Sequence, residues 1–142
     1  RNSTQNSGAA SARANLNLAS PDDPAAQHAA NLWLSAFVAG NAKKMAQISK
    51  APFRSGDMVV GRNQSDIIDV YKQVLKELPS RRLRDWKILS AAGYRKTFGA
   101  LPAGIDPKGP ELFLVIRVKK DQFTLVLVPQ GNGNYKVTGL HR

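Results

Sequence analysis

Apolar residues recur at two spacings along this chain, and the change from one to the other divides it. From Ala26 to Leu78 they return every three or four positions, and from Leu83 onward they alternate. The first spacing lines one face of a helix and the second lines one face of a strand. Ala26, Ala29, Ala30, Trp33 and Phe37 form a first helical stripe, with Gln27, His28, Asn31 and Ser35 off it. Asp22 or Asp23 can cap this helix, and Pro24 is tolerated in its first turn. Gly40-Asn41 ends it, since both residues accept a left-handed backbone. Residues 42–48 read as a second, short helix that buries Met45 and Ile48. Pro52 to Gly61 reads as an extended piece turning at Ser55-Gly56-Asp57. A third helix follows over 65–78, capped by Asn63 or Ser65, with Ile67, Val70, Tyr71, Val74 and Leu78 as its apolar stripe. Asp66 and Asp69 favour its N-terminal dipole, and Pro79 stops it.

The remainder is strand-like. Residues 83–91 place Trp86 and Ile88 on one face. Residues 111–119 put Leu112, Leu114, Ile116 and Val118 on one side and Phe113 and Val115 on the other. Lys119 to Gln122 is a tight connection into a strand at 122–128. Gly131-Asn132-Gly133-Asn134 is a hairpin signal leading to 134–140. Between 93 and 110 the chain is broken by Gly93, Gly99, Pro102, Gly104, Pro107, Gly109 and Pro110. This stretch reads as a long excursion, a lid or mobile loop, opening with a strand at 94–98. The expected fold is α+β: three N-terminal helices packed on a curved antiparallel sheet, with residues 21–142 as one domain.

Residues 1–20 carry only Leu16 and Leu18 as large apolar side chains. Such a segment buries too little surface to offset its ordering entropy, so it reads as a disordered tail or tether. With no methionine at Arg1, the chain reads as a processed or trimmed form, and a polar tail of this kind suits a domain that is exported or tethered to an envelope. Cysteine is absent, which excludes thiolate catalysis and a disulfide framework. No apolar run approaches the ~20 residues of a membrane span. The net charge is +11, and residues 79–142 carry 12 cations against 4 acids. A bias of this kind draws anionic partners where the cations cluster, and otherwise keeps a protein in solution.

The helix Asn31-Leu32-Trp33-Leu34-Ser35-Ala36-Phe37-Val38-Ala39-Gly40-Asn41, then Pro52-Phe53, Val59-Val60-Gly61 and the helix Ser65–Leu78, precede the strands in a particular order. That order resembles the nuclear transport factor 2-like superfamily, over about residues 24–142. The superfamily includes ketosteroid isomerase, polyketide cyclases and many non-catalytic binding domains. The resemblance implies a cystatin-like cone in which the sheet wraps the third helix and ligands enter at the open end. It places no catalytic motif on this chain, and the fold alone confers no activity.

Candidate chemistry is sparse. Isomerase-type catalysis needs a carboxylate in an apolar pocket and a buried donor for the developing oxyanion. Tyr71 is the candidate donor, and Asp57 and Asp85 are the acids with the weakest structural explanation. His28 and His141 are too few and too far apart for a zinc site, and neither a metal nor a cofactor is expected. Trp33, Phe37, Phe53, Tyr71, Trp86 and Phe113 are the candidate lining of an apolar ligand pocket. Arg81-Arg82-Leu83-Arg84 with Trp86-Lys87 mixes cations and an aromatic, as single-strand binders do. Arg95-Lys96, Lys119-Lys120 and Lys136 could join it. The leading expectation is a non-enzymatic binding or assembly domain that holds an apolar small molecule or a protein partner, with homodimerisation through the sheet. An isomerase or cyclase acting on an apolar substrate is the alternative, and nucleic acid is the less favoured partner.

Overall fold

A computed structural model describes residues 20–106, 108–119 and 121–142. The tail expected over 1–20 therefore lies, apart from Ser20, outside the described residues. Four helices and six strands follow in the order α1 (Pro24–Val38), α2 (Ala42–Gln47), β1 (Ser49–Ser55), β2 (Met58–Gly61), α3 (Gln64–Glu77), β3 (Leu83–Leu89), α4 (Ala91–Phe98), β4 (Leu112–Val118), β5 (Asp121–Pro129) and β6 (Tyr135–His141). The strands form one sheet in the order β2-β1-β6-β5-β4-β3. The class is α+β.

The helix ends follow local chemistry. Asp23 caps α1 by accepting from the Ala25 N–H, Asn41 caps α2 through Lys44 N–H, and Asn63 caps α3 through Asp66 N–H. Each side chain satisfies a backbone donor that has no partner within its own helix. After α1 the chain turns at Gly40, whose φ is +70°. The Arg81 guanidinium packs against that glycine, so a Cβ there would stand 2.9 Å from Nη2.

The main core lies between the sheet and α1, α2 and α3. Ala26, Ala30, Trp33 and Phe37 of α1 and Ile67, Tyr71 and Val74 of α3 are buried, as the periodicity requires. Val70 is only half-buried at the edge of its stripe, and Ile48 is half-buried at the C-terminus of α2. Opposite them β4 supplies Leu112, Leu114, Ile116 and Val118, and β5 supplies Phe123, Leu125 and Leu127. This side is termed the inner face.

Two expectations need correction. The sheet is mixed and not antiparallel, because β1 runs parallel to β6. The β1–β6 register is interrupted between Ser49 and Arg54, a stretch containing Pro52, which has no N–H to give a ladder. Residues 94–98 are not a strand but the last part of α4. The Ser90 hydroxyl accepts from Gly93 N–H at its start, and Gly99, at φ +88°, closes it. Helix α4 lies against the opposite, outer face of the sheet. Tyr94 packs there on Phe113 with ring centroids 5.0 Å apart, and its hydroxyl meets Thr124 Oγ1. Phe113, Val115 and Val126 are thereby buried outside the main core.

Candidate functional site

The aromatic residues expected to line a pocket are distributed over three places. Trp33, Phe37, Phe53 and Tyr71 meet on the inner face and have no exposed surface. Trp33 stacks on Phe37 at 5.3 Å and 13°, and its edge contacts reach Tyr71 and Phe123. Phe53 packs edge-on to Tyr71 at 5.3 Å. Trp86 is half-buried at the β3 margin of the same face, opposite Ile116. Phe113 is not part of this group. It stands on the outer face beneath α4.

At the centre of the inner group two hydroxyls form a short hydrogen-bonded chain. The Ser49 hydroxyl donates to the Met45 carbonyl at 2.9 Å. A serine hydroxyl has one proton, so the 2.6 Å contact between Ser49 Oγ and Tyr71 Oη is made by Tyr71 donating. Burial pushes the Tyr71 pKa well above its ordinary value. The hydrogen bond with Ser49, and a weaker pull from the nearby Trp33 indole N–H, offset this only in part. The indole N–H itself lacks the geometry of a hydrogen bond. Tyr71 is therefore a neutral phenol whose single proton is committed to Ser49.

This arrangement makes an unequal pair of substitutions. Ser49→Ala leaves the Tyr71 hydroxyl buried with no acceptor and is expected to cost about 1–3 kcal/mol. Tyr71→Phe leaves Ser49 bonded to Met45 and is expected to cost only about 1 kcal/mol. Urea unfolding of both variants checks the order. Equal losses would mean that Ser49 is the donor and that Tyr71 keeps a free proton.

The acids do not reach this centre. Asp57 is exposed in the β1–β2 turn, where its carbonyl accepts from Arg54 Nη2. Asp85 is exposed on β3 and pairs with Arg117 at 3.5 Å. The Arg81–Lys87 segment is divided as well. Trp86 faces Ile116 on the inner side, whereas Lys87 stands opposite Val115 on the outer side. Alternation along a strand separates the aromatic from the neighbouring cation, so the two do not form a stacking platform. Among the described residues no cluster of three His, Asp or Glu side chains is placed to hold a metal. Among the described residues no helix is long and apolar enough to cross a membrane.

Sequence reading missed two polar contacts. Tyr135 donates to Asp23 Oδ2 at 3.0 Å, tying the start of α1 to β6. Burial, followed by that carboxylate, raises the Tyr135 pKa well above the ordinary phenol. The second contact is at a recess between α4, the loop after it and the ends of β5 and β6, lined in part by Tyr94, Phe98, Gln122, Thr124 and His141. There His141 Nδ1 accepts from the Gly56 N–H at 3.2 Å. No local signal reveals either contact, because the partners are far apart in sequence.

No known protein family and no curated protein matches the chain in sequence.

His141 makes a pH-dependent contribution with a definite sign. Burial, and then the charge of Arg54, lower its pKa in the folded state. As pH falls through about 6.5, histidine in the unfolded chain takes up a proton that the folded state resists. Stability therefore falls on acidification from neutral pH and levels off below the folded-state pKa. Protonation at Nδ1 would also abolish the Gly56 bond. His141→Gln is expected to lose less stability than the parent between about pH 7.5 and 5.5, measured by thermal melting. Glu77, held below the usual carboxylate range by Gln73 and then Arg142, titrates below that window. An equal pH dependence in parent and variant would exclude His141 as the source.

Proposed function

We propose that the domain is a non-catalytic binding or assembly module of the nuclear transport factor 2-like type, working through its outer surfaces on a protein partner. The observation that carries this reading is the filled space beneath α1 and α3. Where an isomerase-type cone would hold substrate, Trp33, Phe37, Phe53 and Tyr71 occupy the volume. General acid–base catalysis needs a titratable group within reach of substrate and a donor with a free proton. The Tyr71 proton is already given to Ser49, and Asp57 and Asp85 face solvent. Close packing of this kind also argues against the interior as the seat of an apolar ligand. The element order of the sequence supports the family assignment, and the helices and sheet are compatible with it.

A titration with the apolar dye Nile red, followed through the indole N–H resonance of Trp33, tests the proposal. The expected result is no saturable shift at Trp33. A saturable shift would mean that the interior opens to ligand, and a module holding an apolar small molecule there would replace this reading.

A further inference from the structure

A run of three depressions crosses the helical side of the molecule, and its lining has a consistent chemistry. The first lies between α1 and the start of β6, with His28, Leu32, Ile48 and Lys136 on its walls. The second lies between α1 and α2 and shares Leu32, Gln47 and Ile48 with the first. The third lies between α2 and α3. It shares Ala39 and Asn41 with the second and adds Lys43, Ile68, Lys72 and Leu75. Shared walls make the three one track that bends around the exposed side of α2.

Two properties of the track stand together. Its apolar lining is not closed over by the fold. Leu32 is 46% exposed, and Ile48, Ile68 and Leu75 are half-buried. Its charged lining has one sign. Lys44, Lys43, Lys72 and Lys136 line it and no Asp or Glu does. Lys136 is held by the Gln47 carbonyl at 2.8 Å. Among the described residues two ion pairs form, Arg117–Asp85 and Arg142–Glu77, and neither involves Lys43, Lys44 or Lys72. Asp69, beside Ile68 on α3, is exposed and does not line the track.

We infer that this track is the docking surface for an acidic segment of a partner protein that carries apolar side chains at helical spacing. The inference rests on the binding-module reading and assigns it a surface and a partner chemistry. Carboxylates would meet Lys43, Lys44 and Lys72 at the rim, where complementary charge steers encounter and fixes register. Apolar side chains would cover Leu32, Ile48 and Leu75, as amphipathic helices do in grooves. Nucleic acid fits less well. Tyr135 is the one aromatic on the track, its hydroxyl is bound to Asp23, and single-strand binding relies on exposed ring faces. A membrane surface also fits less well, because the apolar groups line depressions and do not form a crest.

The test uses the full chain and a fluorescein-labelled synthetic peptide of glutamate and leucine, its leucines at helical spacing. Fluorescence anisotropy should show saturable binding that weakens with added salt. The triple variant Lys43→Glu, Lys44→Glu, Lys72→Glu should weaken it by about tenfold or more, equivalent to ~1.4 kcal/mol. Leu32→Ser should weaken it without altering the salt dependence. A control triple of equal charge change, Lys87→Glu, Arg95→Glu, Lys96→Glu, should leave it close to parent. Circular dichroism melts establish that each variant is folded.

Equal loss in the control triple would overturn the proposal in favour of attraction by net charge alone. Equal affinity for an all-glutamate peptide would remove the apolar half of it. Absence of peptide binding would overturn it, as would binding of phosphatidylglycerol vesicles or single-stranded oligonucleotide in place of the peptide. In those cases the binding-module reading still stands provided Nile red leaves Trp33 unshifted. A shifted Trp33 resonance would sink that reading whatever the peptide does.

Discussion

Replacing Trp33 with alanine is expected to destabilise the domain by about 3–5 kcal/mol, because a large aromatic leaves a cavity that its surroundings only partly fill. The ring is wholly buried and is the hub of the inner cluster, stacked on Phe37 and edge-on to Tyr71 and Phe123. Those contacts join α1 to α3 and to β5, so all three lose a wall at once. For a domain of this size the melting temperature should fall by roughly 10 °C or more. Trp86→Ala is the comparison. Trp86 is half-buried on the edge strand β3, and its removal should cost clearly less. Thermal and urea melts of both variants decide the matter. A Trp86 variant as damaged as the Trp33 variant would place the structural centre at the sheet margin, contrary to the packing described.

The second large effect is expected at Val74→Asp. Val74 is 7% exposed on the buried stripe of α3, in the hydrophobic cluster that holds Ile67, Tyr71 and Leu78. A carboxylate there is either ionised without a partner or protonated at a free-energy cost, on the order of 3 kcal/mol or more. Gln73→Asp, one residue earlier and exposed, introduces the same charge on the solvent side and should be tolerated. It loses the bond from Gln73 to Glu77, which is a small term at an exposed site. Loss of the cooperative transition in the Val74 variant alone would confirm the phase of the helix. Unchanged melting there would mean that the stripe faces water.

The elements legible in the sequence are those specified by local chemistry. Helices α1 and α3 carry long stripes, capping residues and clear stops, and the structure places Asp23 and Asn63 as caps. The hairpin around Gly131-Asn132-Gly133-Asn134 is fixed by its turn residues. Helix α4 is short, contains Gly93, and offers only Tyr94 and Phe98 as large apolar residues, a spacing that reads equally as alternation. Its signals were nevertheless present, with Ser90 before it and Gly99 after it. The parallel β1–β6 pair was not legible, since nothing in either strand names its neighbour.

The candidate pocket shows the same division. Periodicity assigned Trp33, Phe37 and Tyr71 to buried faces, but it does not tell a lined cavity from a filled core. That depends on how closely α1 and α3 approach across the sheet. Phe113 was separable, because alternation over 112–118 sets it opposite Leu112 and Leu114. Grouping it with Trp33 overlooked that parity. The recess at His141 and the track around α2 depend on tertiary approach, and local sequence carries no sign of either.

The parallel pairing of β1 with β6 has a consequence for the order of assembly. Ser49 pairs with Val137 and Arg54 with Gly139, so the sheet beneath α1 is complete only when residues 135–141 are in place. A chain emerging N-terminus first presents α1, α2 and α3 while only the β1–β2 hairpin exists to receive them, and an isolated hairpin is marginal in water. At that stage Trp33 and Phe37 lack the Phe123 ring of β5 that packs on both. Closure between such distant segments is slow, because the entropy of the intervening chain is lost before the contacts form. The domain therefore acquires its native state after β6 has been made, and the nascent helical segment passes through a period in which it depends on whatever shields apolar surface during synthesis.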